Sequence, residues 1–266
     1  MNPRETSVAS LRGRIGRIAL LYGVLAVLWF TLMAFFGPTG ILGTRIIHAG
    51  YGIGAVLCVL NVVGFAVLLG ATMMVRRARL PHVLKILGVR PWSWRAVAAS
   101  LFAILAAVML LYALGYRAQH RSATTVIPFD LLGPFVEEAI FRGFLFLQLR
   151  RWVQLPFWIA ATLASVPFAL EHTYQGVTTI ALLEVLAVTF FGGIVLCWLV
   201  ERWGTLWSAW VLHAGLNLLF SLFPLGANAS DNVIGNIQRL LAIVCALLAT
   251  WILTRRSNPR PGETTT

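Results

Sequence analysis

Pro128-Phe-Asp-Leu-Leu-Gly-Pro134-Phe-Val-Glu137-Glu138-Ala-Ile-Phe-Arg142-Gly-Phe-Leu-Phe-Leu-Gln-Leu149 sets two adjacent carboxylates and a guanidinium in the middle of a largely apolar run. On insertion scales one ionised group at the centre of a membrane span costs about 2.5 to 3.5 kcal/mol, so three persist only where they pair, face a wet cavity or do chemistry. The partners must come from the rest of the chain.

That chain has 266 residues, 59% of them hydrophobic and only 11% charged, with a mean hydropathy of +0.83. Such a composition excludes a soluble domain of this size and points to a polytopic membrane protein. Eight apolar runs of roughly the 20 residues a helical span needs are predicted. They are Ile18 to Phe36, Ala49 to Val75, Ala96 to Tyr116, Phe129 to Leu149, Leu155 to Leu170, Val177 to Val200, Thr205 to Phe223 and Ile237 to Leu253. The fifth is the weakest by length and the fourth by polarity. The runs are continuous rather than alternating, which excludes a β-barrel and leaves an all-α membrane helix bundle of about eight transmembrane helices.

A net charge of +12 would suggest nucleic acid in a soluble protein, but here its distribution decides the meaning. Arg4, Arg12, Arg14 and Arg17 precede the first span; no small-residue cleavage site follows, so that span is read as retained. With this end inside, 16 of the 21 basic residues fall in inner segments, including the block Arg76, Arg77, Arg79, Lys85, Arg90 and Arg95. The positive-inside rule then places both termini in the cytoplasm of a multi-pass cell-membrane protein, without nucleic acid as a partner. The basic block reads first as a topology determinant, with contact to anionic lipids as its functional alternative. It also marks an organisational break: residues 1–95 hold two leading helices, 96–223 a core, and 224–266 a last helix with a disordered tail from Ser257 to Thr266. Cys58, Cys197 and Cys245 are isolated inside spans and form no disulfide or thiolate metal motif. Twenty Arg against one Lys, with abundant Ala and Leu, suggests a GC-rich bacterial genome.

Glu138 and Arg142 are four apart, neighbours on one helical face in the favourable order, so Arg142 can neutralise Glu138. Glu137 is rotated by about 100° and is the carboxylate left free to act as a base. Taken alone, the three fit a buried ion-pair network equally well. In the next run, Phe168 and His172 share a face, and a short turn brings that helix back antiparallel to the glutamates. His213 and Asn217 are again four apart in the seventh run, two hydrogen-bonding side chains aimed at one point, which suits either an oxyanion or interhelical bonding. Glu184 is read as a structural partner, Glu171 as a residue of the water boundary, and His48, His82 and His120 as solvated loop residues.

The ordered set Glu137-Glu138-x3-Arg142, Phe168-x3-His172 and His213-x3-Asn217 resembles the CAAX-protease and bacteriocin-processing family of membrane proteins, also called CPBP or Abi, which includes type II CAAX prenyl endopeptidases. The likeness covers about residues 96 to 223. It implies an intramembrane endopeptidase acting on a membrane-embedded or lipid-anchored protein or peptide. Glu137 would activate water with help from His172, His213 and Asn217 would stabilise the oxyanion, and Arg142 would hold Glu138. No cofactor is required on this reading. Family members have often been labelled metalloproteases, and a zinc ion on His172, His213 and a glutamate is the alternative. Competing functions are a proton- or solute-coupled transporter and a noncatalytic bacteriocin-immunity protein. Neither repeat halves nor matched broken helices, the usual transporter signals, are present.

Overall fold

The structure, a computed structural model, describes residues 3–176, 178–225 and 232–255, with side chains from residue 11 onward. Among these residues every regular element is helical. In chain order they are α1 (Pro3–Phe36), α2 (Ile41–His48), α3 (Ile53–Arg76), α4 (Leu80–Ile86), α5 (Trp94–Ala113), α6 (123–151), α7 (Phe157–Glu171), α8 (Thr179–Trp203), α9 (Trp207–Leu222) and α10 (Val233–Arg255). Each of the eight predicted spans has its helix, and α2 and α4 are short additions. The helices α1, α3, α5, α8 and α10 are long and apolar enough to cross a bilayer. The expected disordered tail at Ser257 to Thr266 lies outside the described residues.

Small residues set the closest packing. Ala96, Ala99, Ser100, Ala103 and Ala107 form the buried stripe of α5, and Gly235, Ala242, Ala246 and Thr250 that of α10. Spacings of three and four put each set on one face, and the missing bulk lets two backbones approach, the usual route to helix association in lipid. A buried polar pair joins two of the helices: the Ser100 hydroxyl lies 2.8 Å from both the carbonyl and the hydroxyl of Ser208 on α9. The Arg76 to Arg95 block is a docked element. Val83 of α4 and Leu87 just after it are fully buried, and the Gly88 carbonyl accepts from Thr205 Oγ1 and Leu206 N, each at 2.9 Å.

Helix α6 departs most from a regular α-helix. Val126–Leu132 and Ala139–Phe146 are π-wide turns separated by the α-helical Gly133–Glu138. Wider turns of this kind recur at functional sites because they re-aim side chains within a helix. Gly143 sits in the second one, where an added Cβ would lie 2.6 Å from the Leu87 carbonyl oxygen, so the α4 backbone closes against α6 only over a glycine. Helix α7 is the second exception. Its 15 residues reach about 22 Å, short of the roughly 30 Å hydrocarbon core, so it ends inside the bundle.

The two ends of the bundle differ in charge. Arg17, Arg76, Arg150, Arg151 and Arg202 gather where α1 begins and α3, α6 and α8 end. There the Arg150 guanidinium binds Glu201 and donates to the Leu155 carbonyl at 2.6 Å. A cavity opens in the other half, among the second half of α1, the first half of α3, and the last turns of α7 and α9.

Candidate active site

The glutamate doublet straddles a boundary between sealed protein and cavity. Glu138 and Arg142 are 0% and 1% exposed, and Arg142 Nη1 donates to Glu138 Oε1 at 3.0 Å. The same oxygen lies 2.9 Å from His213 Nδ1 on α9. A carboxylate only accepts, so Nδ1 carries the proton in this pair and Nε2 is left to face Glu137 Oε2, 3.8 Å away. The Arg142 guanidinium also stacks on Phe168, its Cζ 4.0 Å from the ring centroid, a cation–π contact out of water. Glycine again permits the approach: at Gly193 of α8 an added Cβ would lie 2.7 Å from Ser165 Oγ and 3.4 Å from Arg142 Nη2.

Glu137, one residue earlier and on another face, is 28% exposed and lines the cavity. Its Oε2 makes no hydrogen bond to any described residue. The cavity has a volume of about 860 Å³, and its wall also includes Phe168, His172, His213 and Asn217. His172 caps the end of α7, with Nδ1 2.8 Å from the Phe168 carbonyl. A carbonyl also only accepts, so the proton sits on Nδ1 and Nε2 keeps its lone pair. Phe168 touches both imidazoles edge to face, at 4.8 Å from His172 and 5.7 Å from His213 between ring centroids. All six residues singled out in the sequence are therefore brought together: Glu138 and Arg142 in the sealed layer, Glu137, His172 and Asn217 on the cavity wall, and His213 reaching both.

Two acidic residues belong to this neighbourhood although sequence reasoning did not place them there. Glu171, expected at the water boundary, instead lines the cavity with its Oε2 buried and unbonded, close enough to feel the charges of Glu137 and Arg142. Helix α7 is short, so its last residue, Glu171, stands beside the cavity. Asp130, 6% exposed in the first π-wide turn of α6, also lines the cavity, near Arg121, whose Nε donates to the Ser221 carbonyl at 2.9 Å. An aspartate within an apolar run was its only signal. Glu184, by contrast, is exposed on α8 and lies outside the cavity wall. His48, His82 and His120 are exposed as expected, the first two on short helices rather than loops.

The zinc alternative can be compared with this geometry. Among the described residues no three His, Cys, Asp or Glu side chains gather as a metal-holding group. His213 commits Nδ1 to Glu138, and Phe168 packs against both imidazoles.

Residues 118–219 match the family model described as type II CAAX prenyl endopeptidase Rce1-like. That stretch runs from before α6 to the last turn of α9 and contains all three motifs, so the family resemblance is borne out over it. It supports a CAAX-protease type of intramembrane endopeptidase in general terms, on a multi-pass membrane protein. No curated protein and no solved structure matches the chain.

Proposed function

We propose, from the CAAX-protease kinship of residues 118–219, that this protein is an intramembrane endopeptidase that uses Glu137 to activate water against a peptide bond of a membrane-embedded or lipid-anchored substrate. The observation that carries the reading is the inequality of the doublet. Glu138 is sealed from water and its Oε1 accepts from Arg142 and His213, whereas Glu137 is 28% exposed, lines the cavity, and has no hydrogen bond at Oε2.

The reaction follows from the donors and acceptors on the wall. A water set between Glu137 and His172 gives one hydrogen bond to the carboxylate and one to the imidazole Nε2, which keeps a lone pair because Nδ1 faces the Phe168 carbonyl. As the oxygen attacks the scissile carbonyl carbon, its proton passes to Glu137. Charge develops on the carbonyl oxygen, where the Asn217 amide donates. His213 donates from Nε2 only as an imidazolium, with Nδ1 bonded to Glu138; its charge is then balanced by the adjacent carboxylate. Arg142 holds Glu138, so that Glu138 holds His213. Glu137 finally returns the proton to the leaving amine as the C–N bond breaks, and the products are a carboxylic acid, which keeps the second proton of the water, and an amine. General base catalysis of this kind contributes about 10² to 10⁴ in rate.

The basic ends of α1, α3, α6 and α8 support a cytoplasmic placement of the termini under the positive-inside rule, with the cavity in the outer half of the bilayer. Cysteine accessibility at position 172 tests this orientation, and labelling from the cytoplasmic side alone would reverse it. For the chemistry, peptide fragments from membranes of cells bearing wild-type or Glu137→Gln protein are compared. Fragments that vanish in the variant identify the substrate, and unchanged fragments remove Glu137 from the base role. Solute flux in proteoliposomes without cleavage would favour a transporter.

A further inference from the structure

The basic end of the bundle holds an arrangement that a topology signal does not need. Arg17 of α1 and Arg76 of α3 converge on one indole, that of Trp152 just after α6, with Cζ atoms 5.4 Å and 4.8 Å from the ring centroid. Each guanidinium gives one hydrogen bond to a neutral acceptor: Arg17 Nη1 to the Trp152 carbonyl at 2.7 Å, and Arg76 Nη1 to Gln148 Oε1. Gln148 is itself 2% exposed and so is a fixed anchor. A guanidinium has five N–H donors, so each arginine keeps several that are not used by these bonds.

None of the ion pairs among the described residues involves either arginine: Glu138 serves Arg142, and Glu201 serves Arg150. Two like charges therefore stand near enough to act on each other without a carboxylate between them. Their mutual repulsion is relieved when an anion bridges them. Planar guanidinium forks match phosphate oxygens, and their stacking on Trp152 fixes the direction of the forks. The flanks identify the source of that phosphate. One turn further along each helix, on the faces of the two arginines, Leu20 on α1 and Met73 on α3 are 45% and 38% exposed, an apolar track running from the charged pair toward the bilayer interior.

We propose that Arg17 and Arg76, stacked on Trp152, form an interhelical site for the phosphate of an anionic phospholipid, whose acyl chains lie along α1 and α3. A basic pocket between spanning helices on the cytoplasmic side is a recognised form of lipid headgroup recognition. The site is independent of the cavity chemistry, and its occupant ties α1 and α3 to the end of α6.

Native mass spectrometry of the purified full chain, titrated with phosphatidylglycerol or phosphatidylcholine, tests the site. Phosphatidylglycerol is expected to bind the wild type at least tenfold more tightly than R17Q/R76Q, and phosphatidylcholine to bind all forms weakly. The control R12Q/R14Q removes the same total charge, from α1 alone, and should stay within twofold of wild type. An equal loss in that control, or equal binding of phosphatidylcholine, would overturn the proposal. So would displacement of the lipid by inorganic phosphate at matching concentration, which would reassign the site to a soluble anion. If R17Q/R76Q does not fold, R17K/R76K replaces it, keeping charge while losing the fork and the stacking. At least threefold weaker phosphatidylglycerol binding is expected there, and unchanged binding would refute the site.

Discussion

Glu137 and Glu138 are neighbours in sequence and of one chemical type, yet they belong to two regions with opposite rules. In the sealed layer, Glu138 Oε1 joins Arg142 and the Nδ1 edge of His213 out of water, and a change there breaks a network, although Glu138 Oε2 and Arg142 Nη2 are left unbonded. On the cavity wall, Glu137 Oε2 and Glu171 Oε2 have no hydrogen bond to a described residue, and His172 is held through Nδ1 by the Phe168 carbonyl, which leaves Nε2 unspent. The difference teaches that burial and partners, rather than residue type, divide stability from chemistry in this bundle. The 100° between consecutive helical residues is enough to send one carboxylate to each side.

The sharpest way to break the comparison is to make the same substitution on both sides. Glu137→Gln keeps the shape but cannot take a proton, so cleavage should fall by about 10³-fold or more while unfolding in detergent is unchanged. Glu138→Gln should do the reverse in kind. It leaves Arg142, 1% exposed, without its anion, and breaking a buried pair costs about 3 to 5 kcal/mol. Activity would then fall at least with the folded fraction, which denaturant unfolding and size-exclusion profiles measure, the folded remainder having lost only the anchor of His213. If both variants lost activity with full stability, the sealed layer would be part of the chemistry and the division would be wrong.

Much of this division was legible in the sequence, and the remainder was hidden for identifiable reasons. Apolar runs located a helix at each of the eight predicted spans, five of them long enough to cross a bilayer, and the four-residue spacing of Glu138 and Arg142 anticipated their 3.0 Å contact. Both depend on local periodicity. What periodicity does not carry is the bond between Glu138 and His213, 75 residues apart, which assigns the proton to Nδ1 and changes how His213 can donate. Nor does it carry Glu171, whose direction is set by the end of a helix rather than by its interior, or Asp130, re-aimed within a π-wide turn. The docking of α4 likewise rests on tertiary contacts of Val83 and Leu87. In a span, moreover, apolar composition reports only the lipid, which surrounds inward and outward faces with little contrast.

Next in size is the oxyanion side of the wall. Asn217 lies one turn after His213 and donates only to substrate on the proposed mechanism, so Asn217→Ala should lower kcat by about 10²-fold, with KM and stability little changed. Asn217→Asp, which removes donors and adds charge, should be at least as damaging. A variant with intact kcat and weakened binding would move Asn217 from oxyanion donor to substrate-positioning residue, and a destabilised one would place it in the sealed region.

The smallest effect tests the boundary with a second pair of neighbours, Gly192 and Gly193 of α8. Gly192 lines the cavity, and a Cβ added there meets nothing within 4 Å. At Gly193 the same atom would stand 2.7 Å from Ser165 Oγ and 2.9 Å from Ser165 Cβ, closer than real contacts allow, so α7 must withdraw from α8. Overpacking of this sort costs about 1 to 3 kcal/mol, whereas Gly192→Ala should be neutral in stability or slightly stabilising for helical propensity. The partner can be named, so the cause can be checked: Ser165→Gly removes the clashing atoms, and combined with Gly193→Ala it should recover more stability than the two single effects sum to. Additive losses would mean that the strain is taken up elsewhere, most directly at Arg142 Nη2, 3.4 Å from the same point. Cleavage by Gly193→Ala would then fall together with the Glu138 anchor rather than with the helix contact.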